Sequence, residues 1–329
     1  MVKESWKEHG YVDDPVGVAD IKGAIAGLKK SRNAVIMAHY YQDGDIQDVA
    51  DYVGDSLALA QRAARTDADV IVMCGVNFMG ETAKILCPDK VVIVPDLNAG
   101  CSLADSCDAA ALQRMKDEHP GHTVISYVNT SARVKALTDI VVTSGNAVEI
   151  VGSLPRDEKI IFGPDRNLGS YINRVTGRRM LLWDGACHVH DRFSLDSLMQ
   201  LKREHPAATV LAHPECRALL LDEADVIGST AALLRYVSSH GDGEYIVATE
   251  PGILHEMRRR CPSARYYTPL AEGRLSGLNV CEYMKMATLP KVYMALLHGW
   301  PAVEVDPDVA ALAVKSIDRM LMMSAELGL

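Results

Sequence analysis

The sequence predicts an α/β fold built from three related units, each with a four-stranded parallel sheet. Apolar runs of four to six residues alternate with amphipathic stretches, and this alternation is typical of parallel strands connected by helices. The runs recur as three sets of four, and each set ends at a cysteine. Such self-similarity indicates an internal repeat, and therefore three domains of the same design.

Each unit is predicted to contain four strands and a closing cysteine. The first has strands at 34–39, 51–56, 70–76 and 91–96 and closes at Cys101. The second has strands at 123–129, 139–144, 160–165 and 180–183 and closes at Cys187. The third has strands at 209–215, 225–230, 245–250 and 265–269 and closes at Cys281.

The spacing within the units supports the repeat. A residue near the end of the first run and the hydroxyl residue at the end of the second are 17 positions apart in every unit: His39 and Ser56, Tyr127 and Ser144, and His213 and Thr230. We therefore predict three domains, formed by residues 1–105 with 282–329, by 106–188 and by 189–281. The flanks 1–33 and 290–329 are predicted to be helices that complete the first domain, since the last segment has apolar residues near helical spacing.

Composition excludes several classes of protein. The 329 residues carry a net charge of −9 without a long basic tract, so binding to nucleic acid has no electrostatic support. No apolar run approaches the length of a membrane span, and the polar N-terminus lacks a secretory signal. We expect a cytoplasmic protein, in which the eight cysteines do not form a disulfide framework.

Polar side chains lie at the carboxyl end of the first strand of each unit. They are His39 and Tyr41, Tyr127 and Asn129, and His213 and Glu215. Parallel α/β sheets bind ligands outside the carboxyl ends of their strands. If the units pack around a pseudo-threefold axis, these side chains converge on one cavity, where His39, His190, His213 and Glu215 are candidates for acid–base chemistry.

Hydroxyl residues stand between the second strand and the next amphipathic stretch of each unit. Ser56, Ser144, Ser229 and Thr230 occupy these positions and are predicted to be helix N-caps. Because a helix N-terminus also attracts phosphate and carboxylate groups, the same residues are candidates for binding an anionic ligand.

The closing cysteines Cys101, Cys187 and Cys281 are suited to one metal site assembled from all three units. Thiolate ligation favours zinc or an iron–sulfur cluster over a hard cation. Cys187 and His190 also have a CxxH spacing that zinc can use. From spacing alone, a cluster, a zinc site and three buried structural cysteines remain alternatives.

Ten ordered motifs between residues 35 and 289 resemble the quinolinate synthase family. They are AHYYQ at 38–42, GDSL at 54–57, CGVNFMGETAKIL at 74–86, PDLNAGCSLAD at 95–105, YVNTSA at 127–132, TSGNA at 143–147, GPDRNLG at 163–169, GACHVH at 185–190, HPEC at 213–216 and IGST at 227–230. The resemblance implies three homologous three-layer αβα domains around a pseudo-threefold axis.

The resemblance also implies an activity. Family members join iminoaspartate to dihydroxyacetone phosphate, lose phosphate and two waters, and form quinolinate for NAD biosynthesis. They use one 4Fe–4S cluster with an open iron, and its three ligand positions fall on Cys101, Cys187 and Cys281. The unstable imine implies functional coupling to an aspartate-oxidising enzyme.

Residue roles follow from the same resemblance. Glu215 and His213 match the proton-transfer centre, and His39, Tyr41 and His190 match further active-site positions. His39 also matches a substrate contact, as do Ser56, Tyr127, Asn129, Ser144, His213, Glu215, Ser229 and Thr230. After Cys281 the chain reads EYMKMA at 282–287, where the family commonly has PxMKxN.

Two other functions fit parts of the pattern. A zinc-dependent lyase or aldolase would use Cys187, His190 and His213. A binding protein for phosphorylated metabolites would use the three repeats without catalysis.

Overall fold

The computed structural model describes residues 4–14 and 17–329, and the chain forms two compact units. The first unit comprises Met1–Cys101 and Glu282–Val314, and the second comprises Ser102–Cys281 and Lys315–Leu329. The α/β class is confirmed, because the described residues form three parallel four-stranded sheets. The three-domain boundaries stay a prediction, as does the pseudo-threefold axis.

The first sheet lies in the first unit and has the strand order β2-β1-β3-β4. The elements are α1 (Glu4–His9), α2 (Ile21–Ser31), β1 (Ala34–His39), α3 (Gly44–Val49), β2 (Tyr52–Gly54), α4 (Ser56–Ala63), β3 (Val70–Cys74), α5 (Asn77–Leu86) and β4 (Val91–Ile93). Every residue of β3 is buried, as expected for a parallel strand covered on both faces.

The second sheet opens the second unit and has the equivalent order β6-β5-β7-β8. Its elements are α6 (Ser102–Asp105), α7 (Ala109–Glu118), β5 (Thr123–Tyr127), α8 (Ala132–Ala136), β6 (Ile140–Val142), α9 (Ala147–Ser153), β7 (Ile160–Gly163), α10 (Arg166–Thr176) and β8 (Leu181–Leu182). All neighbouring strands are parallel.

The third sheet follows in the same unit, with the order β10-β9-β11-β12. After a 3-10 helix (His190–Arg192), its elements are α11 (Leu195–Glu204), β9 (Thr209–Ala212), α12 (Ala218–Leu221), β10 (Val226–Ile227), α13 (Thr230–His240), β11 (Glu244–Ala248), α14 (Ile253–Arg260) and β12 (Arg265–Tyr267). All three sheets therefore share one topology.

Two helices end the chain, α15 (Leu289–His298) and α16 (Pro307–Glu326). The first packs in the first unit against α2 and β3. The last part of α16 belongs to the second unit, where Ser316 Oγ donates to the carbonyl of Lys135 at 2.9 Å. Asn146 Nδ2 donates to Ser324 Oγ at 2.9 Å in the same unit. Among the residues that the structure describes, no helix has both the length and the apolar character needed to cross a bilayer.

Each sheet has its own hydrophobic core. In the first, buried Ile36, Val72 and Ile93 belong to one cluster with Ile25 of α2 and Leu296 of α15. The second core contains Leu112, Val124, Val134 and Ile161. The third contains Leu198, Val210, Leu220 and Ile246.

A carboxylate repeats at the amino-terminal side of each second strand. Its oxygen accepts the backbone N–H of a first-strand residue 15 positions earlier, at 2.7–2.8 Å: Asp51 from Ile36, Asp139 from Val124 and Asp225 from Val210. In each pair the backbone N–H of the aspartate also donates to the carbonyl of that first-strand residue. The repeat seen in the sequence thus extends to individual hydrogen bonds.

Three of the four predicted helix caps are wrong, namely Ser56, Ser144 and Thr230. Asp55 is the N-cap of α4 and accepts the N–H of Ala58, whereas Ser56 is the first helical residue. Asn146 directly precedes α9, and Ser144 lies two residues before it on the turn. Aspartate and asparagine cap helices as well as serine does, and in both cases they stand closer to the helix.

The prediction is confirmed at α13, where Ser229 is the N-cap and accepts the N–H of Ala232. Thr230 is the first residue of that helix rather than its cap. Both side chains are buried, so their hydroxyls lie at a protected helix N-terminus.

Candidate active site

A buried carboxylate, Glu215, lies after β9 in the second unit and is 3% exposed. Tyr127 Oη, at the end of β5, donates to Glu215 Oε1 at 2.6 Å. His190 Nδ1 lies 2.9 Å from Glu215 Oε2. The strand-end residues of two sheets therefore meet within this unit, and each carboxylate oxygen has a partner from another part of the chain.

The surroundings of Glu215 favour its ionised form. Burial, the largest influence, raises the pKa of the carboxyl, but charge on His213 and His190, with hydrogen bonds from His190 and Tyr127, lowers that pKa below its usual range. Because opposite charge and donated hydrogen bonds stabilise a carboxylate, Glu215 is an anion at neutral pH.

The two histidines stack beside this carboxylate, with ring centroids 4.6 Å apart and planes 28° apart. His213 Nδ1 lies 3.4 Å from the backbone nitrogen of Glu215, and its Nε2 lies 3.2 Å from Ser144 Oγ. His190 Nε2 lies 2.9 Å from Thr249 Oγ1. A serine and a threonine hydroxyl thus orient the two imidazoles, as acid–base groups require.

Cys187 extends the same cluster, since its Sγ lies 3.3 Å from His190 Nδ1. One ligand atom each from Cys187, His190 and Glu215 lie within 4.8 Å of one another. Thiolate, imidazole and carboxylate are ligands that zinc and iron accept. These three residues are therefore able to hold a metal.

Exposure divides the eight cysteines into two groups. The half-buried ones are Cys101, Cys187 and Cys281, and the buried ones are Cys74, Cys87, Cys107, Cys216 and Cys261. Burial raises the pKa of Cys74 and of Cys107 to about 12, and Cys216 Sγ donates to the carbonyl of Ala248 at 3.4 Å. Metal ligands must be thiolates, so the half-buried group is the better candidate for a metal centre.

Asp165 is a buried residue that the sequence analysis did not select. It follows β7, which ends at Gly163. A side chain at Gly163 would clash with Trp183, because a Cβ there would lie 2.2 Å from Trp183 Cβ. Its Oδ2 accepts the N–H of Cys187 at 2.7 Å, and its Oδ1 accepts the N–H of Leu168 at 3.0 Å. Burial, and then the charge of Glu215, raise the pKa of Asp165 to about 7.

Glu250 has the corresponding place in the third sheet, after β11, and was also missed. Its Oε1 accepts the N–H of Cys281 at 3.3 Å, and its Oε2 accepts the N–H of Gly252 at 2.6 Å. Polar residues after the third strands, and not only after the first, were the signal that would have identified both carboxylates.

Lys135 is a third missed residue and is fully buried. Its Nζ donates to the carbonyl of Val128 at 2.8 Å and to that of Thr130. These carbonyls flank half-buried Asn129 and follow Tyr127. Lys135 therefore fixes the segment that carries two predicted substrate contacts.

The first unit carries its own predicted site residues. His39 Nδ1 accepts the N–H of Tyr41 at 3.2 Å, and their ring centroids are 4.5 Å apart. This repeats the contact between His213 and Glu215 in the third sheet. Lys285 Nζ donates to the carbonyl of Tyr41 at 2.6 Å, so the segment after Cys281 holds the loop of Tyr41.

The structure brings most of the predicted residues of the second unit together. Tyr127, Ser144, Cys187, His190, His213 and Glu215 form one connected cluster, and Asn129, Ser229, Thr230 and Cys281 lie in the same unit. His39, Tyr41, Ser56 and Cys101 lie in the first unit.

Proton-transfer groups gathered at the carboxyl ends of parallel strands are typical of α/β enzymes. Comparison with known proteins gives the particular family. The family model described as quinolinate synthetase A protein matches residues 23–322. Quinolinate synthases of Synechocystis sp. and Thermosynechococcus vestitus are 54% and 52% identical over 305 residues, which cover 93% of this chain and 96% of each relative. That of Microcystis aeruginosa is 52% identical, with 93% and 95% coverage. The chain belongs to the quinolinate synthase family and is an enzyme of this type.

Proposed function

We propose that this enzyme joins iminoaspartate to dihydroxyacetone phosphate, releases phosphate and two waters, and supplies quinolinate for NAD biosynthesis. The observation that carries the proposal is the buried Glu215 carboxylate, bound by Tyr127 at one oxygen and by His190 at the other. Condensation and two dehydrations need repeated proton transfers, which a positioned carboxylate and imidazoles perform.

Each residue of the cluster has a distinct part in this chemistry. Glu215 accepts a proton from substrate carbon, and Tyr127 holds the carboxylate in place. His190 and His213 return protons to the departing oxygens. By resemblance to the family, we assign His39 and Tyr41 to contacts with the bound intermediate.

Anionic groups of the substrates need donors, because the chain carries a net charge of −9. Ser229 and Thr230 lie at the N-terminus of α13, where free N–H groups attract phosphate or carboxylate. We assign the phosphate and carboxylate contacts to these two residues with Ser56, Asn129 and Ser144.

Cys101, Cys187 and Cys281 would hold one 4Fe–4S cluster. Their partial exposure supports this assignment, since the other five cysteines are buried. When bound, a cluster with three thiolate ligands supplies one open iron as a Lewis acid. The expected result of anaerobic analysis is about four iron and four sulfide per chain, with loss on substitution of any of the three by serine.

A zinc site on Cys187, His190 and Glu215 is the alternative that the geometry favours. The third ligand of this zinc site is Glu215, whereas the zinc site predicted from the sequence had His213 as its third ligand. Zinc without sulfide in protein purified under anaerobic conditions would support this occupant and overturn the cluster.

Glu215→Gln tests the catalytic assignment. The change keeps the shape and removes the base, so we expect kcat for quinolinate formation to fall by about 10²–10⁴-fold with the cluster intact. Glu256→Gln is the matched control, because Glu256 is another buried glutamate, paired with Arg259 at 2.9 Å. Full turnover by Glu215→Gln would exclude the assignment.

The imine substrate hydrolyses in water, so we also propose that an aspartate-oxidising enzyme delivers it. Production of quinolinate from aspartate in a coupled assay, at a rate that depends on such an enzyme, checks this proposal. The cytoplasmic location stays a prediction.

A further inference from the structure

Two of the proposed cluster ligands share a feature that lies in their main chain. The backbone N–H of Cys187 donates to Asp165 Oδ2 at 2.7 Å, and that of Cys281 donates to Glu250 Oε1 at 3.3 Å. Both carboxylates are fully buried. A buried acid is costly unless its oxygens are bonded, so these contacts constrain the cysteines as well as the acids.

The two carboxylates are equivalent in the fold. Asp165 is the second residue after β7, and Glu250 is the second residue after β11. β7 and β11 have the same place in their sheets. The hydrogen bond from a closing cysteine's N–H to a buried carboxylate is therefore repeated in the second and third sheets, although the two acidic side chains differ by one methylene.

Each carboxylate also binds a second element through its other oxygen. Asp165 Oδ1 accepts the N–H groups of Asn167 and Leu168 at the start of α10. Glu250 Oε2 accepts the N–H of Gly252, directly before α14. Each acid thus ties a closing cysteine to the chain that follows the third strand of its sheet.

We infer that Asp165 and Glu250 are positioning residues for Cys187 and Cys281, each holding the main chain of its cysteine so that the thiol is presented for metal binding. The inference rests on the proposed function for the identity of the metal centre. Residues that orient metal ligands through hydrogen bonds commonly affect metal affinity without touching the metal.

The arrangement requires two acceptor oxygens on one side chain. An amide has a single acceptor oxygen, and its NH₂ group would face an N–H donor. Asp165→Asn and Glu250→Gln therefore keep size and shape but leave one N–H group facing an NH₂ group, which breaks the connection that holds the cysteine to the segment after the strand.

The matched controls are Asp139→Asn and Asp225→Asn. Each control removes a carboxylate that accepts a backbone N–H from Val124 or Val210 at the opposite ends of the same two sheets. They repeat the chemical change without touching a closing cysteine.

The first experiment uses metal-free protein and measures alkylation by iodoacetamide, with the modified cysteines identified by peptide mass. We expect Asp165→Asn to speed alkylation of Cys187 and not of Cys281, and Glu250→Gln to do the reverse. The controls should change neither rate. Equal rates in all variants, or equal acceleration of both cysteines by each variant, would overturn the inference.

The second experiment measures loss of iron from reconstituted protein to a chelator. We expect both test variants to lose iron about tenfold or more faster than the controls, within the range of about 10–100-fold that ligand-orienting contacts contribute. Loss at the control rate would overturn the inference. A wild-type protein without a cluster would refute the proposed function, and the alkylation pattern would still decide the role of the two acids.

Folding of the variants is checked by far-ultraviolet circular dichroism. If Asp165→Asn does not fold, Glu250→Gln and the shorter Glu250→Asp are scored by the same two measurements. The two Glu250 variants then test the inference at Cys281 alone.

Discussion

Tyr127→Phe removes a single oxygen from the centre of the site. That oxygen donates to Glu215 Oε1 at 2.6 Å inside the protein, while His190 continues to occupy the other carboxylate oxygen. A hydrogen bond to a charged group contributes about 1.5–3 kcal/mol. We expect the free energy of unfolding of the metal-free protein to fall by that amount at pH 7.

The assay is urea unfolding within a double-mutant cycle of Tyr127→Phe and Glu215→Gln, which isolates the energy of the pair. The control is Tyr245→Phe, which removes a hydroxyl that donates to the neutral carbonyl of Gly241 at 3.0 Å. A neutral hydrogen bond contributes about 0.5–1.5 kcal/mol, so the control should lose less.

A coupling energy below about 0.5 kcal/mol would refute the reasoning, because pairs in direct contact normally couple by more than that. Equal losses in Tyr127→Phe and Tyr245→Phe would also contradict an ionised Glu215.

Three further predictions concern single side chains. Lys135→Met leaves two buried carbonyls without their cationic donor, so urea unfolding should show a loss of about 1.5–3 kcal/mol; an unchanged midpoint would contradict the role of Lys135. Lys285→Met frees the carbonyl of Tyr41 and should raise KM with little change in circular dichroism, and an unchanged KM would exclude this role. Cys74 and Cys107 should resist iodoacetamide at pH 8 in the native metal-free protein, since a thiol with a pKa of about 12 is thiolate in about one molecule in 10⁴; modification of either before Cys187 would contradict the burial argument.

The strands were predictable because continuous apolar runs identify parallel strands that are buried on both faces. The predicted run at 34–39 matches β1, and the others enclose or overlap their strands. The caps were less predictable, since the sequence offers Asp55 beside Ser56 and only the path of the chain selects between them. Intrinsic preferences for the N-cap do not separate aspartate from serine.

The site was predictable where a residue type and a strand end coincide, as at Tyr127 and Glu215. It was not predictable where the role depends on a partner in the main chain. Asp165 and Glu250 accept the N–H groups of residues 22 and 31 positions away. Every residue except proline has such an N–H group, so the sequence does not indicate which one a carboxylate will bind. Lys135 resembles any other helical lysine until its burial is known.

The first unit is discontinuous, and this has a consequence for synthesis of the chain. The continuous stretch Ser102–Cys281 is complete on the ribosome while α15 is still missing. Until then, Ile36 and Val72 of the first sheet lack Leu296 of α15, their partner in the core. A nascent sheet with an uncovered apolar face is prone to aggregation. The earliest-made part of the chain would therefore stay exposed to aggregation until α15 has been synthesised.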